Sequence, residues 1–304
     1  MLRRNSLYAA AVIVFVTFWI ALWATAAHAQ GSDDVDALSK QVAQLAGAGK
    51  YAEATAIAAR ALDLAERRFG PDHPTVSTAL NNLAFVYSAQ GRYSEAEPLY
   101  QRALAIAEKA LGPDHPNVAS DLGNLAELYR ALGRSADAEP LYKRALMIHE
   151  KALGGDHPQV GQELNNLGAL YFAQGRYGEA ESLYKRALII AEKALGPDHR
   201  DVGTYLNNLA GLYGAEGRYA EAEPLYRRAL AIEEKALGAD HPEVALDLNN
   251  LGLLYRAQGR PVEAEPLYKR ALAIDERALG SEHPNVSIHL NNLAELYISQ
   301  DRYA

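Results

Sequence analysis

The chain repeats itself at a fixed period of about 42 residues. Gly112-Pro113-Asp114-His115-Pro116 is preceded by Gly70-Pro71-Asp72-His73-Pro74 and followed by related turns near residues 154, 196, 238 and 280. Between these turns another text recurs: Leu-Asn-Asn-Leu-Ala, a Tyr, Gly-Arg-Tyr, then Glu-Ala-Glu-Pro-Leu-Tyr. A fixed period of this length marks stacked supersecondary units, each too small to bury its own apolar face without neighbours. The period also constrains function. A residue present six times serves the stack first, whereas an enzyme site is built from residues present once.

Within one unit the apolar spacing is helical. Val76, Leu80, Leu83, Ala84 and Tyr87 fall at spacings of 4, 3, 1 and 3, which is one face of a helix. Gln90-Gly91-Arg92 stops it, since glycine readily takes the left-handed conformation at a helix end. A second helix is expected from about Tyr93, with Ala96, Leu99, Tyr100, Ala103, Leu104 and Leu111 as its apolar stripe and Gly112 as its end. Asp114 or His115 is placed to cap the next helix, with Pro116 in its first turn, where a missing N–H costs little. Pro98, Pro140, Pro224 and Pro266 lie about six residues into the second helix, where proline removes a hydrogen bond and predicts a mild kink facing solvent. Ser182 stands at the same place, so the proline is not required. Each unit is therefore a helical hairpin.

Leu80-Asn81-Asn82-Leu83-Ala84, Tyr87, Gly91-Arg92-Tyr93, Glu95-Ala96-Glu97-Pro98-Leu99-Tyr100 and Arg102-Ala103-Leu104 resemble tetratricopeptide repeats, and the 42-residue length resembles the kinesin-light-chain subtype. The resemblance runs from about Asp34 to the C-terminus. It implies an all-α fold, a right-handed α-solenoid of stacked antiparallel hairpins with the first helix of each hairpin lining the concave side. It does not imply a kinesin motor partner, since the signal peptide read at the N-terminus puts the chain outside the cytosol. The expected organisation is an atypical N-capping hairpin at 34–70, five repeats at 71–112, 113–154, 155–196, 197–238 and 239–280, and a half repeat at 281–304, or 13 helices. In the first helix Leu38-Ser39-Lys40-Gln41 stands where Leu-Asn-Asn-Leu belongs, as a polar cap requires.

Both ends carry expectations of their own. Arg3 and Arg4, the apolar run Leu7 to Ala27 and the small residues of Ala27-His28-Ala29 read as a secretory signal peptide spanning residues 1–29, which predicts export to a bacterial periplasm or beyond. The run is long enough that an uncleaved inner-membrane anchor is the alternative. At the other end, Asp301-Arg302-Tyr303-Ala304 stops where a second helix should begin. Either the helix from Pro284 to Gln300 is the closing cap, or the chain is a fragment; a fragment suits a second reading, the regulatory or sensor arm of a larger enzyme with an effector or protease-like domain.

Little in the chain reads as catalytic. There is no cysteine, hence no thiol nucleophile or Cys-based zinc site. A net charge of −8, spread over the repeats as solvated helix faces, argues against nucleic acid. The six turn histidines (His73, His115, His157, His199, His241, His283) are a hairpin apart and cannot share a metal, so each is expected to bond nearby backbone. His149 and His289 are not repeated and have no metal-ligand or triad pattern in sequence; Asp33-Asp34 and Glu233-Glu234 read as solvated charges. No phosphate loop, HExxH or nucleophile elbow is present. The expectation is a non-catalytic scaffold without cofactor, metal or small-molecule substrate, whose partner is a protein or extended peptide.

The asparagines are the candidates for that partner. Asparagine is not favoured inside helices, yet Asn81/Asn82, Asn165/Asn166, Asn207/Asn208, Asn249/Asn250 and Asn291/Asn292 recur mid-helix, with Asn124 alone beside Gly123. An amide both donates and accepts. Two uses stay open: a ladder between neighbouring repeats, or, as the resemblance implies, bonds to a bound peptide's backbone in the groove. Selectivity would come from positions that vary. One turn on lie Phe85, Glu127, Ala169, Gly211, Leu253 and Glu295; a further turn on lie Ser88, Arg130, Phe172, Gly214, Arg256 and Ile298. Arg130, Phe172 and Arg256 suggest a peptide of mixed polarity.

Overall fold

Each of the recurring His-Pro dipeptides starts a helix, and each glycine of the two recurring turns ends one. The computed structural model describes residues 34–302, which form helices and turns throughout; the expected signal peptide lies outside the described residues. The helices are α1 (34–47), α2 (Tyr51–Phe69), α3 (Pro74–Ala89), α4 (Tyr93–Leu111), α5 (Pro116–Ala131), α6 (Ser135–Leu153) and α7 (Pro158–Ala173). They continue as α8 (Tyr177–Leu195), α9 (Arg200–Ala215), α10 (Tyr219–Leu237), α11 (Pro242–Ala257), α12 (Pro261–Leu279) and α13 (Pro284–Ile298). The expected 13 helices are therefore present among the described residues. Shorter first helices, such as α3, alternate with longer second helices, such as α4.

Two kinds of glycine punctuate the chain. Gly91 has φ 71° and closes α3, with Gly91 N–H donating to Ser88 O at 2.9 Å and Arg92 N–H to Tyr87 O at 2.9 Å. That six-to-one bond belongs to the Schellman ending. Gly112 sits at φ 88°, ψ 155°, a region open essentially only to glycine, and turns the chain into the next hairpin. Proline inside the second helices does not break them: α4 runs unbroken from Tyr93 to Leu111 across Pro98, whose ring is exposed to solvent.

The chain divides into two compact units, one up to Ile148 and one from His149. In the first, the expected stripe of α3 and α4 forms the core: Val76, Leu80, Leu83, Ala84, Ala96, Tyr100 and Ala103 are buried, joined by Ile106 and Ala107. Leu99 is partly buried against them, and Tyr87 and Leu111 are half-buried. Alanines let the helices approach while leucines and tyrosines fill between them, so the layers reach native packing without large side chains at every site. The second unit repeats this with Val244, Ala245, Leu248, Ala271 and Ile274. There α7, α9 and α11 each touch the next first helix, whereas α8, α10 and α12 do not touch one another. First helices crowded together and second helices splayed apart put the first helices on the inner, concave side of that unit. In the first unit α3 likewise touches α5. The fold is the all-α stack of antiparallel hairpins that the sequence implies. No helix among the described residues is long and apolar enough to cross a membrane.

Candidate functional site

The conspicuous repeated residues are absorbed by the turns and the outer edge. Each turn histidine is an N-cap. Nδ1 of His73, His115, His157, His199, His241 and His283 accepts the backbone N–H two residues on, at 3.1–3.3 Å. Histidine, and not the aspartate before it, is therefore the cap. The aspartate instead pairs with a lysine: Asp72 lies 2.5 Å from Lys109 Nζ, Asp198 lies 2.5 Å from Lys235 Nζ, and Asp156 pairs with Lys193. The arginine of Gly-Arg stacks on the tyrosine five residues earlier, 4.1 Å for Arg92 over Tyr87 and 3.6–4.2 Å in four further repeats, and Arg302, which follows Asp301, lies 4.5 Å over Tyr297. Several of these arginines also reach back one repeat to a glutamate. Arg134–Glu97 is 2.9 Å, Arg218–Glu181 3.0 Å and Arg260–Glu223 2.7 Å, and beside Arg218 and Lys185 the Glu181 carboxyl is held down to about 2.

The asparagines form a ladder. The second amide of a pair donates backward to the first position of the preceding pair: Asn208 to Asn165 at 2.8 Å, Asn250 to Asn207 at a long 3.5 Å, and Asn292 to Asn249 at 2.6 Å. At the other end of the chain Asn82 donates to Ser39 Oγ at 3.0 Å, so Ser39 keeps the register in the atypical first helix. The first amide reaches forward instead, Asn81 to Asp121 Oδ1 at 2.6 Å and Asn207 to Asp247. Asn165 and Asn249 are buried; Asn81, Asn82, Asn166, Asn207, Asn208, Asn250 and Asn292 are half-buried, and Asn124 and Asn291 are exposed. Of the variable positions, Arg130 is held by Glu127 at 2.8 Å, Arg256 by Glu295, and the half-buried Phe172 leans on Tyr177 with ring centroids 5.6 Å apart.

A row of buried polar residues was not legible from the motifs. Two positions before each asparagine pair stand Ala79, Asp121, Glu163, Tyr205, Asp247 and His289. At the facing position of the preceding second helix stand Ala65, Ala107, His149, Ala191, Glu233 and Asp275. Glu163 lies 3.5 Å from His149, and His289 Nε2 lies 2.9 Å from Asp275, all four side chains buried. His149 and His289 therefore do have acidic partners, contrary to the sequence reading, because the partner lies on the adjacent helix and not nearby in the chain. Glu233 is likewise no solvated charge: it is 6% exposed, with Arg200 Nε at 3.2 Å. Arg200 itself replaces the usual proline at the helix start. Glu234 pairs with Arg270 at 2.6 Å and Asp34 with Arg68 at 3.6 Å; Asp33 lies outside the described residues. Burial pushes the Asp121 carboxyl up to about 6; burial, then the charge of Glu233, pushes Asp247 up to about 7. Burial also raises Glu163, against the opposing pull of His149. Comparing the repeats column by column would have found this row, since its members change together with those on the facing helix.

Among the described residues, two hollows lie beside the first helices. In the unit up to Ile148 a pocket of about 430 Å³ is lined by Asp36, Thr78, Asn81, Asn117, Ser120 and Asp121, among others. In the unit from His149, Gly211 and Gly214 leave a hollow of about 210 Å³ beside Tyr219, Tyr226, Asn250 and Leu253. A Cβ on Gly211 would come within 3.3 Å of the Tyr226 hydroxyl. Among the described residues no group of three or more His, Cys, Asp or Glu is placed to hold a metal ion.

The family model described as tetratricopeptide repeat matches residues 35–109, 75–151, 122–188, 161–235, 201–277 and 243–304. No curated protein matches the chain. Among solved structures the chain is similar to BtubC from P. vanneervenii, with 27% identity over 82% of this chain and 94% of that one, and a TM-score of 0.59. It is similar as well to a Podosopora anserina kinesin light chain-type protein with nearly identical TPR-like repeats, with 29% identity over 68% of this chain and 98% of that one, TM-score 0.56. A likeness to pilF of Pseudomonas aeruginosa, 18% identical over 86% of this chain and 99% of that one with a TM-score of 0.51, concerns the fold alone.

Proposed function

Because the chain belongs to the tetratricopeptide repeat family, whose members are generally non-catalytic scaffolds for protein–protein interaction, we propose that it holds an extended peptide segment of a partner protein along the face lined by its first helices. The observation that carries this reading is the state of the amides. The ladder engages one N–H of each of Asn208, Asn250 and Asn292, while each amide has two N–H groups and two acceptor lone pairs and stays half-buried rather than sealed. Spare groups at a regular spacing suit the backbone of an extended chain. The variable positions, from Arg130 to Phe172, Gly214 and Arg256, then set which side chains fit. With the leader expected at 1–29, the scaffold works outside the cytoplasm.

The test is capture of partners from the exported fraction with residues 30–304, repeated with the double variant Gly214→Phe and Arg256→Glu. Phe172 holds the Gly214 position one repeat earlier, so the fold accepts the ring. Loss of a captured protein, with the thermal melt unchanged, is expected. Unchanged capture sinks the reading. Changing Asn166, Asn208 and Asn250 to alanine together separates the two uses of the amides. If the fold melts, those amides serve the ladder and the groove claim rests on the variable positions. The intact mass of the exported protein decides between cleavage after Ala29 and anchoring.

A further inference from the structure

Asp121 is a buried carboxylate with no cation beside it. It is 6% exposed, and among the described residues no Lys, Arg or His forms an ion pair with it. A carboxylate offers about four lone-pair sites. Asn81 Nδ2 fills one at 2.6 Å. Ser77 Oγ lies 3.2 Å from Asp121 Oδ2, but its single proton also faces the Ala103 carbonyl at 3.0 Å. The facing position on the preceding helix is Ala107, which has nothing to donate. Beside it, Asn81 Oδ1 is buried and has no donor at all. Buried acceptors left in this state cost stability, so a native site keeps them for a reason.

Both acceptors line the 430 Å³ pocket on the inner side of α3 and α5, with Asp36 of α1 at its edge. The lining holds two carboxylates and no cation. Anions and carbonyl acceptors without donors repel a phosphate or a carboxylate and select a cation with several N–H groups. A guanidinium carries five in a planar fork, enough to serve a carboxylate and an amide oxygen together. We propose that this pocket takes the side chain of an arginine in the bound peptide, with Asp121 as its charge partner and Asn81 Oδ1 as a second acceptor. The assignment rests on the reading of the inner face as peptide-binding, and it names a chemistry for one end of it.

The test uses the full chain and a fluorescent nine-residue peptide with one central arginine in a glycine–serine background, against the same peptide with citrulline, which keeps the shape and loses the charge. The arginine peptide is expected to bind about tenfold tighter, as for loss of a charge-assisted hydrogen bond. Asp121→Asn and Asp121→Ala should each erase that preference without lowering the melting temperature. Alanine is tolerated at this position one repeat earlier, as Ala79. Equal binding of the two peptides, a preference that survives in Asp121→Asn, or no binding of the arginine peptide at millimolar concentration each overturns the assignment. If it falls while the Gly214→Phe, Arg256→Glu variant still loses the captured partner, only the pocket chemistry is wrong; if that variant also captures normally, the groove reading has failed with it.

Discussion

In the unit that ends at Ile148 the buried acid of the inner helices faces an alanine, while in the unit that begins at His149 each buried acid or histidine of the inner helices faces an ionisable side chain. Asp121 lies opposite Ala107 and leans on the side chains of Asn81 and Ser77. Glu163 lies against His149, His289 against Asp275, and Glu233, which faces Asp247, is reached by Arg200. A buried charge costs far more than a surface one unless it is paired and bonded. The second unit meets part of that cost inside the stack, although Glu163 Oε2, Asp247 Oδ2 and Asp275 Oδ1 are buried without a hydrogen-bond partner. The first unit leaves part of it unmet, next to a pocket, and the difference separates a structural use of buried polarity from one available to a ligand.

The largest expected effect comes from breaking a matched pair. Asp275→Ala strands the buried His289 and should cost about 3 kcal/mol in chemical denaturation. Adding His289→Tyr recreates the Ala191 and Tyr205 combination found two repeats earlier and should restore most of the loss. A double variant no better than the single one would show that the columns do not act as pairs.

Asp247 offers a pH test of the same contrast. Folded, its carboxyl holds a proton up to about 7, through burial first and the charge of Glu233 second, against about 4 in an unfolded chain. The native state binds more protons in that window, so stability falls as pH rises from about 4 to 7 and the full cost is present above it. Asp247→Asn should flatten this slope and add roughly 1–3 kcal/mol at pH 8. Parallel pH curves for the two proteins would refute the assignment.

A smaller effect turns on size instead of charge. Gly168 and Gly252 stand where the other repeats have Ala84, Ala126, Ala210 and Ala294, and a Cβ at Gly252 would sit 2.6 Å from the Tyr268 ring. Gly252→Ala should cost about 1–2 kcal/mol through overpacking, visible as a lower denaturation midpoint with an unchanged slope. The smallest expected change is also the control. His115→Ala and His157→Ala each remove one cap and should cost about 1 kcal/mol, equally in both units. Unequal losses would mean that the caps are not the equivalent elements their geometry indicates.

The period carried the fold into view because each of its features has a local cause. Pro116 after His115 starts a helix, Gly91 and Gly112 end one, and Val76, Leu80 and Leu83 mark the face that must be covered. The candidate face was half legible. The amides were visible as pairs, and their ladder was one of the two uses weighed for them. The buried row was not, since a motif is read along the chain and His289 meets Asp275 across two helices. Glu233 looked solvated beside Glu234 because adjacent helical residues point in different directions, one to Arg200 and one to Arg270.

The bonds that tie one hairpin to the next are short in sequence. Asn208 reaches back 43 residues and Asn81 forward 40, while Arg134 reaches Glu97 across 37. Contacts of such limited separation need only modest loop closure, so each hairpin can dock on its neighbour as soon as both are made. Chain growth and folding then run at the same pace, with no step that waits for the far end. The same spacing makes the molecule divisible. Cutting out one whole repeat keeps the helix register and sets each second asparagine against the first-asparagine position of another repeat, which is an amide except at Gly123, whereas a cut that is not a multiple of the period breaks the register. A protein joined in this way changes length by copying whole blocks, and leaves diversification to the few positions where the copies differ.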